Sequence, residues 1–150
     1  MADERGVPAP SPLSKEAVGL CYQCSKCVGI CPVASRKPVF NPRKIVLSYL
    51  EDDYEPLVHN NDSPIWLCAV CFSCDEFCPQ DVKPHEAITY LRNLAVARGK
   101  SPDRIRAVVE AVNKSGVSTQ VARSLKARRE ALGLADFTEP GALPSCIFEG

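Results

Sequence analysis

The sequence predicts an all-α fold, and three observations carry that prediction. Helix start signals of the Asn-Pro and Ser-Pro kind recur, apolar residues follow them at i, i+3 and i+4, and no segment alternates as a strand would. Asn41 and Pro42 read as N-cap and first residue of a helix to about Leu50, presenting Ile45, Val46, Tyr49 and Leu50 and ended by the acidic run Glu51 to Glu55. Ser63 and Pro64 repeat the signal, so Ile65, Trp66 and Leu67 form a helical turn. Pro84 opens the strongest helix, with Ala87, Ile88, Leu91, Leu94 and Ala95 on one stripe and Gly99 at the C′ position. Ser101 and Pro102 start another, with Ile105, Val108, Val109 and Val112 on one face. A last helix, capped by Ser118, carries Val121, Leu125 and Leu132.

A chain of 150 residues suits one domain with a modest core. We expect a flexible segment over residues 1–12, a helical domain over 13–132 and a tail over 133–150 that orders against a partner. Lys plus Arg and Asp plus Glu both number 18, so overall charge draws the chain neither to nucleic acid nor to an anionic membrane. The first dozen residues lack the apolar run of a signal peptide. No stretch reaches the roughly 18 apolar residues of a membrane span. A cytoplasmic location is expected, with any membrane association made through a partner subunit. The nine cysteines are odd in number, which together with a reducing compartment argues against disulfides. With 13 prolines and 8 glycines, the composition points to metal as a supplement to core packing.

An internal repeat dominates. Cys21, Cys24, Cys27, Cys31 and Pro32 recur as Cys68, Cys71, Cys74, Cys78 and Pro79, each 47 positions on, so C-x2-C-x2-C-x3-C-P occurs twice. Each copy leads to a Lys-Pro pair, Lys37-Pro38 and Lys83-Pro84, and then to a helical pattern.

This run is the bacterial ferredoxin signature for 4Fe-4S clusters. Two residues between cysteines let a short loop curl so that three sulfurs reach one cube, with backbone N–H groups turned inward. The fourth cysteine precedes proline, which lacks an N–H and holds Cys31 and Cys78 in extended backbone leaving the loop, aimed at the other cube. Crossed ligation follows: Cys21, Cys24, Cys27 and Cys78 for one cluster, Cys68, Cys71, Cys74 and Cys31 for the second. A pair of four-cysteine zinc sites, in an adaptor without redox function, is the alternative. Such sites draw on two separated C-x2-4-C pairs and leave the third cysteine and the Cys-Pro unexplained. Tyr22, Val28, Ile30, Val33, Ala69, Val70, Phe72 and Phe77 are expected to form an apolar shell that limits solvent and tunes potential, or simply packs. Cys146 stands alone in the tail and reads as a spare buried cysteine rather than a redox switch. His59 and His85 lack spaced partners and read as surface or capping residues. Arg123, Lys126, Arg128 and Arg129 form a solvated helix face that could also dock an acidic partner.

Over residues 20–134 the chain resembles the C subunit of heterodisulfide reductase. The likeness rests on C-Y-Q-C-S-K-C-V-G-I-C-P at 21–32, W-L-C-A-V-C-F-S-C-D-E-F-C-P at 66–79 and A-I-T-Y-L-R-N-L-A-V at 87–96. Trp66 two residues before Cys68 and the L-R-N-L-A segment narrow it beyond a two-cluster domain. The resemblance implies a non-catalytic relay subunit of an oxidoreductase complex of methanogenesis. Electrons would pass from a flavin iron-sulfur subunit through two 4Fe-4S clusters to a cysteine-rich partner that reduces a disulfide. Similar domains in glycolate oxidase and anaerobic glycerol-3-phosphate dehydrogenase leave a quinone-linked relay as a second reading. No Cys-Cys-Gly motif is present, so disulfide chemistry is not expected in this chain.

Overall fold

The computed structural model describes residues 14–118 and 122–134, which group into two compact units divided between Pro102 and Asp103. Every regular element among the described residues is helical. The first unit holds α1 (Lys15–Gly19), α2 (Lys26–Gly29), α3 (Pro42–Leu50), α4 (Glu55–Val58), a 3-10 turn (Pro64–Leu67), α5 (Ser73–Glu76) and α6 (Pro84–Ala97).

Its centre is α3 packed on α6. Ile45, Val46 and Tyr49 of α3 meet Ala87, Ile88, Leu91, Leu94 and Ala95 of α6, all buried, as the i, i+3, i+4 spacing requires. Phe40, Val58 and Ile65 close the core, and the Tyr49 ring lies edge-on to Tyr90 at 5.4 Å and against Tyr54 at 6.1 Å. The first helix start is as the sequence indicates: Asn41 Oδ1 accepts the Lys44 N–H at 3.1 Å and Pro42 occupies N1, where no donor is needed. Asn41→Ala should cost about 1 kcal/mol, read as a lowered denaturation midpoint of the cluster-loaded chain. An unchanged midpoint would mean that solvent replaces the cap.

The repeat extends beyond the cysteines into the backbone. α2 and α5 occupy residues 26–29 and 73–76, 47 apart, and pack on each other. The ends of α3 and α6 match as well. Asp52 (φ 57°) and Gly99 (φ 72°) take the left-handed C′ position. The following residues, Asp53 and Lys100, donate back to Ser48 and Ala95 at 2.9 and 2.8 Å. The two halves of the repeat therefore face one another, α2 on α5 and α3 on α6.

The sequence reading did not resolve α1, α2, α4 and α5. Helices of four or five residues are too short for periodicity to register, and tertiary packing holds them. In the second unit lie α7 (Asp103–Ser115) and α8 (Arg123–Ala131). Here two expectations are corrected. The helix after Ser118 begins at Arg123 with Ala122 as N-cap, so Ser118 is not its cap; Val121 falls outside the described residues. No residue of α7 or α8 is buried, and Val108, Val109 and Leu125 are about half exposed, because a periodic stripe records a capacity to bury and not a surface that covers it. Among the described residues no helix is long and apolar enough to cross a membrane.

Candidate metal centre

Each cysteine run folds as a tight loop feeding a one-turn helix. The loops depend on non-glycine residues in the left-handed region, at Gln23 (φ 59°) and Ser25 (φ 66°) in the first copy and at Val70 (φ 53°) and Phe72 (φ 60°) in the second, again 47 apart. Alternating handedness turns successive N–H groups to one side and makes a concavity suited to anions. Backbone N–H groups of Ala34, Val70 and Val82 donate to the sulfurs of Cys31, Cys68 and Cys78, each at 3.4 Å, and the Gln23 side-chain amide reaches Cys21 Sγ at 3.3 Å.

The eight cysteines of the two runs line two pockets. Cys21, Cys24 and Cys27 share the first with Cys78; Cys68, Cys71 and Cys74 share the second with Cys31. Three thiols in each pocket thus come from one run and the fourth from the other. Among the described residues no three His, Cys, Asp or Glu side chains converge as the ligands of a single ion do; the thiols ring a hollow instead. That donor set, four soft thiolates around each hollow, fits an iron-sulfur cluster.

Burial pushes the Cys27 thiol up to about 11, with the neighbouring Cys21, Cys24 and Cys78 adding to it. Burial likewise lifts Cys74 to about 12, followed by the adjacent Asp75 carboxylate and then by Cys68 and Cys27. The influence of Cys27 thus reaches Cys74 across the α2–α5 contact, which sets the two pockets side by side. Cys71 lies below the usual thiol range because the Ser73 hydroxyl and N–H donate to it. A cluster is held by thiolates, so binding one must displace the protons of Cys27 and Cys74.

The expected shell is corrected in part. Val28 and Val33 are half-buried, but Tyr22 is 64% exposed, Phe72 49% and Phe77 52%, with Ile30, Ala69 and Val70 also exposed. Most of these side chains sit on or beside left-handed residues, where the backbone points them outward while the N–H groups point in. Cys24 and Cys71, the middle cysteines, are exposed at the loop tips.

His85 is the residue the sequence misplaced. Its side chain is 13% exposed, lines the second pocket with the four thiols, and lies against the Phe72 ring at 4.3 Å. The His85 N–H donates to Asp75 Oδ1 at 2.9 Å, so α5 caps α6 across ten residues in place of Lys83, whose side chain makes no cap. Its ring stands 3.5 Å from the second Asp75 oxygen and 3.2 Å from Thr89 Oγ1. The available signal was the place of His85, at the start of the helix that follows the second run. His59, by contrast, is the surface residue expected, beside Glu55 at 2.9 Å and Arg98 at 3.2 Å.

Arg92 ties together two segments that the sequence singled out separately. Its guanidinium donates to the carbonyls of Ile65 and Cys68, both at 2.8 Å, and lies 5.7 Å over the Trp66 ring. The L-R-N-L-A helix thereby clamps the stretch of chain entering the second loop. The basic residues Arg123, Lys126, Arg128 and Arg129 lie on α8 in the second unit. Cys146 lies outside the described residues.

Comparison with known proteins agrees with this chemistry. A family model described as a 4Fe-4S dicluster domain matches residues 17–82. The chain is 33% identical over 135 residues to the C2 subunit of the H(2)/formate:CoB-CoM heterodisulfide,ferredoxin reductase of Methanococcus maripaludis, covering 89% of this chain and 70% of the relative. It is 33% identical to the C subunit of the ferredoxin:CoB-CoM heterodisulfide reductase of Methanosarcina mazei, over 79% of this chain and 71% of that one. A third relative, the C subunit of the ferredoxin/F(420)H(2)-dependent CoB-CoM heterodisulfide reductase of Methanosarcina acetivorans, is 34% identical over the same shares.

Proposed function

We propose a function from one premise: this chain belongs to the heterodisulfide reductase C-subunit family, the two-cluster iron-sulfur subunits of an oxidoreductase complex. Within such a complex it relays electrons from a flavin-bearing subunit to the partner that reduces a disulfide. The observation that carries this reading is the pair of adjacent four-thiol pockets inside one unit. In it Cys21, Cys24, Cys27 and Cys78 hold one 4Fe-4S cluster, and Cys68, Cys71, Cys74 and Cys31 hold the other.

Each cluster, when bound, supplies a one-electron couple. The chain's own residues fix the two sites side by side through α2 on α5, direct N–H groups at the sulfurs, and leave Cys24 and Cys71 at exposed tips where a partner can approach closely. None of them is left over as a nucleophile. Thiol-disulfide exchange needs a free thiolate with a resolving partner, and all eight described cysteines line the two pockets. Cys146 alone could form a mixed disulfide and not complete a two-electron cycle.

The test gives the purified cluster-loaded chain a reduced dye and a disulfide substrate, with and without the cysteine-rich partner. Reversible reduction and reoxidation are expected without it, and disulfide turnover only with it. Sustained turnover by the single chain, surviving Cys146→Ala, would overturn the relay assignment. Co-purification of a quinone-linked enzyme in place of a disulfide-reducing partner would move the relay to that complex.

A further inference from the structure

The two halves of the repeat match in backbone and differ in charge. Residues 21–50 carry Lys26, Arg36, Lys37, Arg43 and Lys44 and no carboxylate. The equivalent residues 47 positions on, 68–97, carry Asp75, Glu76, Asp81 and Glu86 against Lys83 and Arg92. The difference reaches the sites themselves. Lys26 and Arg43 line the pocket of Cys21, Cys24, Cys27 and Cys78, whereas Asp75 stands beside Cys74 at the other.

Two polar groups at the first pocket are also unfinished. Arg43 lines it, and its Nε is buried without a hydrogen-bond acceptor among the described residues. A buried donor left unpaired is destabilising, so an acceptor is called for at this place. Gln23, which lines the same pocket, already donates to Cys21 Sγ. A sulfur-rich anionic group here is the acceptor that Arg43 Nε lacks, whereas the buried Gln23 Oε1, also without a partner among the described residues, calls for a donor.

We propose that Arg43, assisted by Gln23, makes the site of Cys21, Cys24, Cys27 and Cys78 the higher-potential of the two, and so the exit end of the relay. Reduction adds negative charge, which a guanidinium with its Nε buried and an amide donor favour. At the second site the N–H donors of Ala34 and Val70 to Cys31 and Cys68 are set against buried Cys31 and Cys74, the Phe40 and Ile88 side chains that line the pocket with them and the Asp75 carboxylate, and among the described residues no Lys or Arg side chain lines it. The Arg92 cation on that side is directed into the carbonyls of Ile65 and Cys68, and Lys83 lies 4.0 Å from Glu86. An electron lost by a reduced flavin or iron-sulfur partner enters at the loop of Cys71. It leaves at the loop of Cys24 to an oxidised iron-sulfur partner, two such passes matching one disulfide. Exposed Lys26 beside Cys24 suits an acceptor with an acidic contact surface.

This inference rests on the crossed ligand sets proposed above, and one set of measurements separates the two. The cluster-loaded chain is titrated potentiometrically with electron paramagnetic resonance detection, and Cys24→Ser and Cys71→Ser mark which signal belongs to which site. The signal marked by Cys24→Ser should be reduced first. Arg43→Met should weaken its reduction about tenfold, a fall of about 59 mV for one electron, and leave the signal marked by Cys71→Ser in place. Arg43→Lys, which keeps the charge, should restore part of the fall. If Arg43→Met fails to load, the order in the unaltered chain still decides. Reduction of the Cys71-marked signal first, or of both together, overturns the proposal. Cys78→Ser must perturb the signal that Cys24→Ser marks; if it perturbs the other, the ligand sets fail rather than the order of potentials.

Discussion

Replacing Cys78 with Ser should remove the cluster otherwise held by Cys21, Cys24 and Cys27 and spare the one held by Cys68, Cys71 and Cys74, although Cys78 belongs to the second run. Three arguments converge on that outcome. Cys78 lines the first pocket and not the second. Its charge is felt at Cys27, far back along the chain in α2. Pro79 denies the loop an N–H at the point where it would otherwise continue to curl, so Cys78 leaves the run in extended backbone. Iron per chain should fall by half, with the visible absorption of one cluster retained, and Cys31→Ser should show the mirror result at the other site. Loss of the Cys68-Cys71-Cys74 cluster in Cys78→Ser would show that each run ligates its own cluster.

Much of this arrangement is legible in the sequence because its determinants are local. The 47-residue offset, the Cys-Pro pairs and the start signals Asn41-Pro42, Ser63-Pro64 and Pro84 each act through adjacent residues, and α3, the 3-10 turn and α6 begin where those signals stand. Less legible is whatever depends on residues far apart. His85 has no spaced partner in the chain, and only the packing of α5 on α6 brings Asp75 to it. Arg92 and Trp66 were visible as separate marks of resemblance, 26 positions apart, and their contact is a property of the fold. The outward side chains of Tyr22 and Phe72 were misjudged for another reason. Hydrophobicity predicted burial there, but left-handed backbone at Gln23 and Phe72 serves the inward N–H groups first.

That conflict between backbone and side chain leads to the largest effect expected. Gln23, Ser25, Val70 and Phe72 hold left-handed conformations with no glycine among them, at a cost of roughly 1–2 kcal/mol each, or roughly 4–8 kcal/mol together. For β-branched Val70 the conformation is especially unfavourable. A domain of this size has about 5–15 kcal/mol of net stability, so strain on that scale persists only if something at the loops offsets it. The α3–α6 pair restrains the loops only at their margins, through Arg92 at the Cys68 carbonyl and the His85 N–H at Asp75, whereas a group gripped by four thiols and the inward N–H groups holds the strained residues themselves. Binding free energy of such a group is then folding free energy. Removing iron and sulfide under anaerobic conditions should therefore cost helicity along with colour. The one-turn helices α2 and α5 should go first, and the α3–α6 pair should loosen as Cys31 and Cys78 cease to join the halves. Far-ultraviolet circular dichroism measured against iron content tests this. Full helicity at zero iron would mean that the core of Ile45, Val46, Ile88 and Leu91 carries the strained loops unaided.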